Sequence, residues 1–363
     1  MFRESPSNKS IIQQLAPDPI PLISVIVVNW NRQDLLRCCL TSLAVQKQAP
    51  AFEVIVVDNG STDGSIPMLA EAEPLFPFPL RVIKNSENRG FCGANNQGIA
   101  EARGSWIALL NNDAEARPDW LGAMFRAIEQ RSDYGMVACK ILVYEDPHKI
   151  DKAGHLIYLD GQNRGRGSGQ IDRGQFDRVE DVLWPDGCAA MYRASMLNEI
   201  GAFDEDLFAY GDDAELGLRA RIAGWKCVYV PDSVVLHRRG STLGLLSSRR
   251  LELIERNRIL LAVRHFPFSL LSFNGVYWMA RLIAGAWAGL RGKGEVARFE
   301  GSAGRARLTI ALLKGTMQGI AMIPETLRKR RATRQIRKLT PQQVRELLLR
   351  YRISLKELSE QAI

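Results

Sequence analysis

The chain has 363 residues, of which 46% are hydrophobic and 24% are charged, a composition typical of a globular protein. Its length favours one large domain with an appended segment. The six cysteines form no C-x-x-C pair and no regular framework, which argues against a disulfide-rich scaffold and a structural zinc site. Since the N-terminus carries no secretory signal pattern, we expect free thiols in a reducing compartment.

Charge is distributed unevenly along the sequence. Residues 1–237 contain 23 Lys and Arg against 32 Asp and Glu, whereas residues 238–363 contain 25 against 8. An acidic first part and a strongly basic last part indicate two different tasks. The basic part is expected to contact an anionic partner, either lipid headgroups or nucleic acid.

The first part of the chain alternates between strand-like and helix-like patterns. Residues 1–21 are polar and rich in proline, and they are predicted to form a flexible leader. Short β-branched runs then recur, each followed by a polar loop and a helical pattern. The predicted strands are 23–29, 52–58, 80–84 and 106–110, and the predicted helices are 35–46, 65–73, 94–102 and one that begins at Pro118.

Four consecutive strand–loop–helix units predict an α/β fold with a doubly wound, mostly parallel, Rossmann-like sheet. Because ligands bind beyond the carboxyl ends of such strands, the four loops are expected to converge on one crevice. Residues 160–181 are rich in glycine and charge and are predicted to form a mobile loop or surface disorder. A strand at 189–192, a helix at 214–223 and a strand at 226–230 complete the predicted domain, residues 22–240.

Residues 241–363 are predicted to form a helical, basic, amphipathic region that associates with a membrane. The charge-free run 266–280 is too short to span a bilayer, which takes ~20 apolar residues, but suits a helix in the headgroup plane. The aromatic and basic residues concerned are Tyr277, Trp278, Trp287, Arg281, Arg291 and Lys293, then Arg328–Arg331 with Arg334, Arg337 and Lys338. A solvated helical bundle is the alternative. Nucleic-acid binding is disfavoured because no recognition motif accompanies the charge.

The polar loops at the strand ends carry the candidate site residues. Asn29, Asn31 and Arg32 follow the first strand. Asp58 ends the second strand, where its carboxylate can accept a hydrogen bond from a nucleobase N–H. The alternative for such a residue is a helix cap, the role assigned here to Asp63.

The third and fourth loops favour anion and cation binding. The loop at 88–98 lacks the G-x-G-x-x-G spacing of a dinucleotide site. Its Gly90 still permits an anion to approach a helix N-terminus, and Arg89 can pair with a phosphate. Asp113 directly follows a buried strand and is available to a hard divalent cation, with a helix cap as the alternative.

An acidic cluster follows near residue 212. The adjacent Asp212 and Asp213 are expected to raise each other's pKa, which suits a general base. Glu215 and Arg219 have the spacing of an ordinary pair on a helix surface. His237 opens the basic part of the chain, although a lone histidine is usually structural.

Together these motifs resemble family 2 glycosyltransferases of the GT-A fold, in particular the bacterial rhamnosyltransferase-like branch. The matching runs, in the family's order, are Val25–Arg32, Val56–Ser65, Asn88–Ile99, Leu109–Glu115 and Gly201–His237. The resemblance implies that Asp58 contacts the base of a nucleoside diphosphate sugar and that Asp213 is the catalytic base. Residues expected to bind the donor are Asn29, Asn31, Arg32, Asp58, Asn88, Arg89, Gly90, Asn111, Asn112 and Asp113.

The resemblance also implies a metal site. Asn111-Asn112-Asp113 occupies the D-x-D position with Asp113 on the metal, and His237 contributes to metal or diphosphate binding. Asn111 departs from the family pattern because it replaces the first carboxylate. Asp212 replaces a Glu, which leaves the division of labour between Asp212 and Asp213 open.

The sequence therefore predicts an inverting, metal-dependent glycosyltransferase that uses Mg²⁺ or Mn²⁺. We expect a dTDP-rhamnose or UDP-hexose donor, a saccharide or polyprenyl-linked acceptor in surface polysaccharide synthesis, and no nucleic-acid partner. The expected location is the cytoplasm, at the inner face of the cell membrane. The alternatives are a sugar nucleotidyltransferase, disfavoured because the loop Val28–Asp34 lacks glycine, and a non-catalytic scaffold at the membrane surface.

Overall fold

The computed structural model describes residues 20–240, 247–299 and 301–361. The strands in these ranges are β1 (Ile23–Asn29), β2 (Phe52–Asp58), β3 (Leu80–Lys84), β4 (Trp106–Leu110), β5 (Ala114–Ala116), β6 (Tyr134–Val143), β7 (Asp146–Lys152), β8 (His155–Ile157), β9 (Asn163–Gly165), β10 (Glu180–Val182), β11 (Ala189–Arg193) and β12 (Lys226–His237). The α-helices are α1 (Gln33–Ala44), α2 (Ser65–Ala72), α3 (Gly90–Glu101), α4 (Trp120–Ile128), α5 (Ala194–Ile200), α6 (Asp212–Ile222), α7 (Ser248–His265), α8 (Phe268–Leu271), α9 (Asn274–Leu290), α10 (Gly301–Ala321), α11 (Ile323–Ile336), α12 (Pro341–Arg350) and α13 (Leu355–Glu360).

One large sheet forms the centre of the molecule. Its strand order is β10-β12-β6-β11-β4-β1-β2-β3, with β5 beside β12 and β7 beside β6. The block β4-β1-β2-β3 is parallel, and its four strands have the predicted bounds. Beyond β4 the sheet is mixed, because β11 runs antiparallel to both β4 and β6. β12 extends past the predicted strand and ends at His237.

Helices cover both faces of the central part of the sheet, which explains why β1, β2 and β4 are buried and largely hydrophobic. On β1, Ile23, Val25 and Val27 belong to a core shared with α1, α2 and α4. Ile26 points to the opposite core, which includes residues of α3, α6 and α7. Gly98 of α3 permits this packing, since an added Cβ would lie 2.6 Å from Cγ2 of Ile26. The loops at the carboxyl ends of β1, β2 and β4 are thereby held side by side.

The prediction of a mobile or disordered loop at 160–181 is wrong for its first part. Asp160 is fully buried, and its Oδ2 lies 2.5 Å from Nε of Arg281. Gly161 has a φ of +100° and packs against the carbonyl oxygen of Arg258. This segment is ordered by polar contacts with residues about a hundred positions away in the sequence. Its scarcity of apolar residues therefore does not indicate mobility.

The predicted C-terminal helices are present, but several of their basic side chains contact the protein. Arg281 donates to Glu255 at 2.7 Å. Arg330 donates to backbone carbonyls at the end of α7, and Lys329 pairs with Asp206 at 2.6 Å. The sequence predicts that these three cations face a membrane, but they contact carboxylates and carbonyls of the protein itself.

Large apolar side chains, by contrast, are exposed on α9 and α10. They are Val276, Met279, Ile283, Trp287 and Leu290 on α9 and Ile310, Leu313, Met317 and Ile320 on α10. Trp278 lies on the inner side of α9, where its indole N–H donates to Glu255 at 2.9 Å. Over the ranges given above, no helix combines enough length and apolarity to cross a membrane.

Candidate active site

A cavity of about 350 Å³ lies at the carboxyl ends of the central strands. Its walls include Asn111–Asp113 after β4, Asp186–Cys188 before β11 and Tyr210–Asp213 at the start of α6. His237 lines it from the end of β12, and α7 contributes residues from Arg250 to Leu261. The cavity therefore lies between the predicted catalytic domain and the first C-terminal helix, α7.

Asn29 connects three of the predicted loops behind this cavity. Its amide nitrogen donates to Asp58 Oδ2 at 3.1 Å and to Ser65 Oγ at 3.0 Å. Its amide oxygen accepts from Asn112 Nδ2 at 2.7 Å. The amide nitrogen and the amide oxygen of Asn29 thus both form hydrogen bonds within the protein. The bond to the oxygen holds Asn112 in the cavity wall.

Asp58 is buried, and both of its carboxylate oxygens have partners, Asn29 and the backbone N–H of Ser61 at 2.9 Å. Asn31 has a φ of +52° and accepts from the backbone N–H of Thr62 at 2.7 Å. Asp63 accepts from the backbone N–H of Ser65 at 3.0 Å, at the beginning of α2, as a capping residue does.

The third loop is organised by Asn59, a buried residue that no sequence pattern singles out beyond its place after β2. Asn59 Nδ2 donates to Asn88 Oδ1 at 2.9 Å, and Asn59 Oδ1 accepts from the backbone N–H of Arg89 at 2.9 Å. Asn88 and Gly90 line the cavity. The side chains of Arg32 and Arg89 are exposed and lie outside its wall.

Asp113 and His237 face each other across one end of the cavity. Oδ1 of Asp113 is buried and has no hydrogen-bond partner among residues that the structure describes. It lies 3.5 Å from Nε2 of His237, whose Nδ1 is 2.7 Å from the buried Asp151. A metal-binding histidine usually holds a carboxylate on its other nitrogen. The donor set therefore fits a divalent cation between Asp113 and His237.

Asp151 is a second residue that the sequence did not single out. Burial by itself raises the pKa of its carboxyl, but Lys152, His237 and Arg239 hold that pKa well below its usual value. Asp151 is therefore an anion that fixes the orientation of the His237 ring.

A second buried network surrounds Asp213. His155 Nε2 lies 2.9 Å from Asp186 Oδ2 and 3.3 Å from Asp213 Oδ2, and the donor atoms of these three residues lie within 4.8 Å of one another. Such a set could hold a metal ion. However, Nζ of Lys152 already forms an ion pair with Oδ2 of Asp186 at 2.5 Å. This contact makes the set a poorer candidate for a metal ion than the Asp113–His237 pair.

The two adjacent aspartates differ in their surroundings. Burial raises the pKa of Asp212 well above its usual value, and Asp213 raises it further. Burial also raises the pKa of Asp213, but His155 and Lys152 oppose the increase. Asp213 additionally accepts from the backbone N–H of Gly187 at 3.4 Å. His155 and Lys152 therefore favour the charged form of Asp213.

The expectation that Glu215 and Arg219 form a surface pair is wrong. Glu215 is 2% exposed, and it contacts Arg219 at 2.7 Å, Arg264 at 2.9 Å and His265 at 2.9 Å. Arg219 also donates to the carbonyl of Gly201 at 2.9 Å. The pair holds α6 against α7 and the preceding loop, so its contribution is structural.

Residues 24–201 match the family model of glycosyl transferase family 2. These residues therefore belong to this family.

Two curated relatives show how far the likeness extends. An O-antigen biosynthesis protein of Myxococcus xanthus is 29% identical over 227 residues, which are 60% of this chain but only 17% of the relative. An N-acetylglucosaminyl-diphospho-decaprenol L-rhamnosyltransferase of Mycobacterium tuberculosis is 27% identical over 244 residues, which are 61% of this chain and 78% of the relative.

The fold is also that of a solved glycosyltransferase. A mannosyltransferase from Pyrobaculum calidifontis, in complex with GDP-Man and Mn²⁺, superposes with a TM-score of 0.50 at 18% identity, covering 86% of this chain and 92% of that chain. The predicted GT-A fold is confirmed.

Proposed function

We propose that the protein is an inverting, metal-assisted glycosyltransferase that uses a nucleoside diphosphate sugar. The observation that carries this proposal is the meeting of Asp113, His237 and Asp213 on one cavity, beside loops that belong to the family motifs. A divalent cation held by Asp113 and His237 would neutralise negative charge on the departing diphosphate. The proposed donor-binding residues on the cavity wall are Asn88, Gly90, Asn111, Asn112 and Asp113.

Asp213 is the proposed catalytic base. Its carboxylate removes the proton from the acceptor hydroxyl as that oxygen attacks the anomeric carbon, and a single displacement inverts the configuration there. The Gly187 N–H and His155 both contact Asp213 Oδ2 and orient it. Asp212, whose pKa is raised by burial and by Asp213, is the minor partner in this proposal.

Asp213→Asn tests this assignment. We expect kcat to fall by roughly 10²–10⁴-fold, the usual contribution of a general base, while donor affinity measured by calorimetry stays unchanged. Asp232→Asn is the matched control, because Asp232 is exposed on β12, outside the cavity wall. A wild-type rate in Asp213→Asn would remove Asp213 from this role.

The donor and acceptor are proposed from the relatives. The named L-rhamnosyltransferase supports dTDP-rhamnose, with a UDP-hexose as the second candidate, and the O-antigen protein supports a saccharide or lipid-linked saccharide acceptor in surface polysaccharide synthesis. Thermal unfolding with a panel of sugar nucleotides, each with Mg²⁺ or Mn²⁺, identifies the donor as the one that raises Tm. A chain that responds to no sugar nucleotide would support the scaffold alternative.

We further propose that the enzyme works peripherally on the cytoplasmic face of an anionic membrane. The exposed apolar side chains of α9 and α10 form the contact surface. Apart from Arg281, which pairs with Asp160 and Glu255, residues 268–324 contain six Arg and Lys against two Glu. This excess of basic residues is complementary to anionic headgroups. Each fully buried apolar side chain would contribute about 1.5–3 kcal/mol.

A further inference from the structure

Asp186 lines the cavity but takes no part in the proposed donor or metal binding. The backbone N–H of Cys188 donates to its Oδ1 at 2.9 Å. Lys152 Nζ and His155 Nε2 lie 2.5 and 2.9 Å from its Oδ2. Burial by itself raises the pKa of this carboxyl, but Lys152 and His155 hold that pKa well below its usual value. Asp186 is therefore an anion with a fixed orientation.

The imidazole of His155 is held at its edge and on its face. Nε2 lies between two carboxylate oxygens, Oδ2 of Asp186 at 2.9 Å and Oδ2 of Asp213 at 3.3 Å. The ring stacks on the buried indole of Trp184, with the ring centroids 5.9 Å apart and an angle of 22° between the planes. Trp184 in turn packs closely on α6, since a Cβ added at Gly217 would lie 2.2 Å from Cβ of Trp184. The ring is thereby fixed against the helix that carries Asp213.

The surroundings of the two ring nitrogens determine the position of the imidazole proton. Without a proton, Nε2 of His155 would direct its lone pair at two carboxylate oxygens, which are acceptors only. Nδ1 is buried and has no hydrogen-bond partner among the residues that the structure describes. A proton on Nδ1 alone would therefore be a buried donor without an acceptor, which is unfavourable. The geometry thus assigns a proton to Nε2.

We propose that Asp186 is a positioning residue for the proposed catalytic base, Asp213. It keeps the proton on Nε2 of His155, and this N–H, which the two carboxylates share, holds Asp213 Oδ2 in one orientation. Asp186 thus acts on the base through His155 and need not touch either substrate. The inference rests on the proposed glycosyl transfer with Asp213 as its base.

The ionisable groups around Asp213 decide what a pH profile can show. Burial raises the pKa of Asp213; His155 and Lys152 lower it, and Asp186 raises it. Asp212 and Tyr192 complete the set, since burial raises the pKa of each and Asp213 raises it further. Loss of the Asp186 charge alone would therefore lower the pKa of Asp213, whereas loss of the His155 N–H would raise it.

Asp186→Asn tests the proposal through the imidazole proton. The backbone N–H of Cys188 keeps the amide oxygen at the position of Oδ1, so the new NH2 group faces Nε2 of His155. The imidazole proton should then move to Nδ1, and Asp213 should lose its N–H donor. Nitrogen-15 NMR of the full chain at neutral pH should show the proton on Nε2 in the wild type and on Nδ1 in the variant.

Two further variants complete the NMR experiment. The signals absent from His155→Phe identify those of His155 among the four histidines of the chain. Asp232→Asn makes the same change at an exposed position of β12 and should keep the wild-type spectrum. A wild-type ring without a proton on Nε2, or a proton that stays on Nε2 in Asp186→Asn, would overturn the inference. Thermal unfolding verifies that each variant is folded.

The pH dependence of kcat gives a second readout, which a merely structural role would not move. In Asp186→Asn the acid limb should shift to higher pH by about one unit, because Asp213 loses a hydrogen bond to its charged form. The KM for the donor should stay unchanged. His155→Phe keeps a ring against Trp184 but removes the N–H, so it should shift the limb in the same direction.

The kinetic outcomes separate this inference from the proposed function. An acid limb of Asp186→Asn that moves to lower pH, as the lost charge alone would move it, or that does not move, would overturn the positioning role and leave the proposed transfer intact. A wild type that transfers no sugar would overturn the proposed function instead. The NMR spectra would then still show whether Asp186 fixes the proton on His155.

Discussion

Asp113 and Asp213 lie on the same cavity but have different surroundings, and this difference supports their different roles. Asp113 offers a carboxylate oxygen without a hydrogen-bond partner among the described residues and faces a histidine nitrogen. Asp213 is already oriented by a backbone N–H and by His155. A metal ligand needs an available oxygen, whereas a base must be held in one orientation. The two carboxylates therefore fit a ligand and a base, respectively.

Asp151→Asn should weaken Mn²⁺ binding by about 10–100-fold, because it removes the carboxylate that orients His237. Free Mn²⁺, measured by electron paramagnetic resonance during a titration, gives the affinity without any substrate. Asp146→Asn on the same strand is the control, since Asp146 is partly exposed and pairs with Lys149. Equal affinities in the wild type and Asp151→Asn would remove Asp151 from the metal site.

Gly90→Ala should destabilise the fold more than an ordinary glycine replacement. The φ of +74° disfavours any Cβ, and here the added atom would lie 2.6 Å from Cδ2 of Phe208 and 2.7 Å from its carbonyl oxygen. Gly169→Ala, at a φ of +79° with nothing within 4 Å, isolates the backbone strain of about 1–2 kcal/mol. Urea unfolding should show a further loss of about 1–3 kcal/mol in Gly90→Ala; equal losses would contradict the predicted clash.

At the scale of elements, α7 determines the shape of the loop that precedes Asp212. Asn257 Nδ2 lies 3.0, 2.9 and 2.7 Å from the carbonyl oxygens of Leu207, Ala209 and Tyr210, which share its two N–H donors. Phe208 and Tyr210 have positive φ values of 62° and 67°, so this loop depends on outside support. A helix predicted only as part of a membrane-associating region thus supports the loop next to the proposed catalytic base.

His265 makes the contact between α6 and α7 sensitive to pH. It is fully buried, its Nε2 lies 2.9 Å from Glu215, and burial lowers its pKa to about 4. The unfolded chain, with a histidine pKa of about 6.5, binds the proton more readily. The free energy of unfolding should therefore fall as the pH decreases from about 6.5 to about 4, by on the order of 3 kcal/mol from this group.

Urea unfolding of His265→Gln between these pH values tests the assignment. Glutamine carries an N–H in place of the imidazole Nε2 and does not titrate, so the variant should lose less stability on acidification than the wild type. His148→Gln makes the same change at an exposed position of β7 and should keep the wild-type slope. Parallel slopes for all three proteins would exclude His265 as the cause.

At the scale of the whole molecule, the acidic first part and the basic last part partly neutralise each other. Arg264 contacts Asp204 at 2.7 Å, and Lys338 contacts Glu199 at 2.9 Å. Ion pairs within the fold therefore neutralise part of the excess charge of each part of the chain. Attraction to a membrane then depends on the exposed apolar side chains of α9 and α10 together with the remaining basic residues.

Replacement of Ile283 and Trp287 by serine should reduce binding to vesicles that contain anionic phospholipid, by about tenfold or more. Co-sedimentation measures this, and binding should weaken with added salt. Leu75→Ser is the control, because Leu75 is 81% exposed on another part of the surface. Vesicle-independent self-association that the same replacements abolish would instead identify a second copy of the chain as the partner.

The amino-acid sequence by itself determined the four parallel strands and the loops that follow them. Their β-branched runs and polar breaks are local patterns, and parallel pairing brings the strand ends together. Asp113, which follows β4, was therefore predictable as a neighbour of the cavity, whereas Asp213 was expected there only from the resemblance to the family. The tertiary structure alone decided the surroundings of these two residues. Asp151, His155 and Asp186 come from β7, β8 and the segment before β11, whose sequences carry no periodic signal for the site.

The orientation of the basic C-terminal residues was likewise decided by the tertiary structure. Arg281 and Lys329 pair with carboxylates more than a hundred positions earlier in the chain. Helical periodicity predicts which residues share a helix face but does not reveal which carboxylate lies opposite. Burial and ion pairing depend on distant segments meeting in space, so they cannot be derived from local patterns.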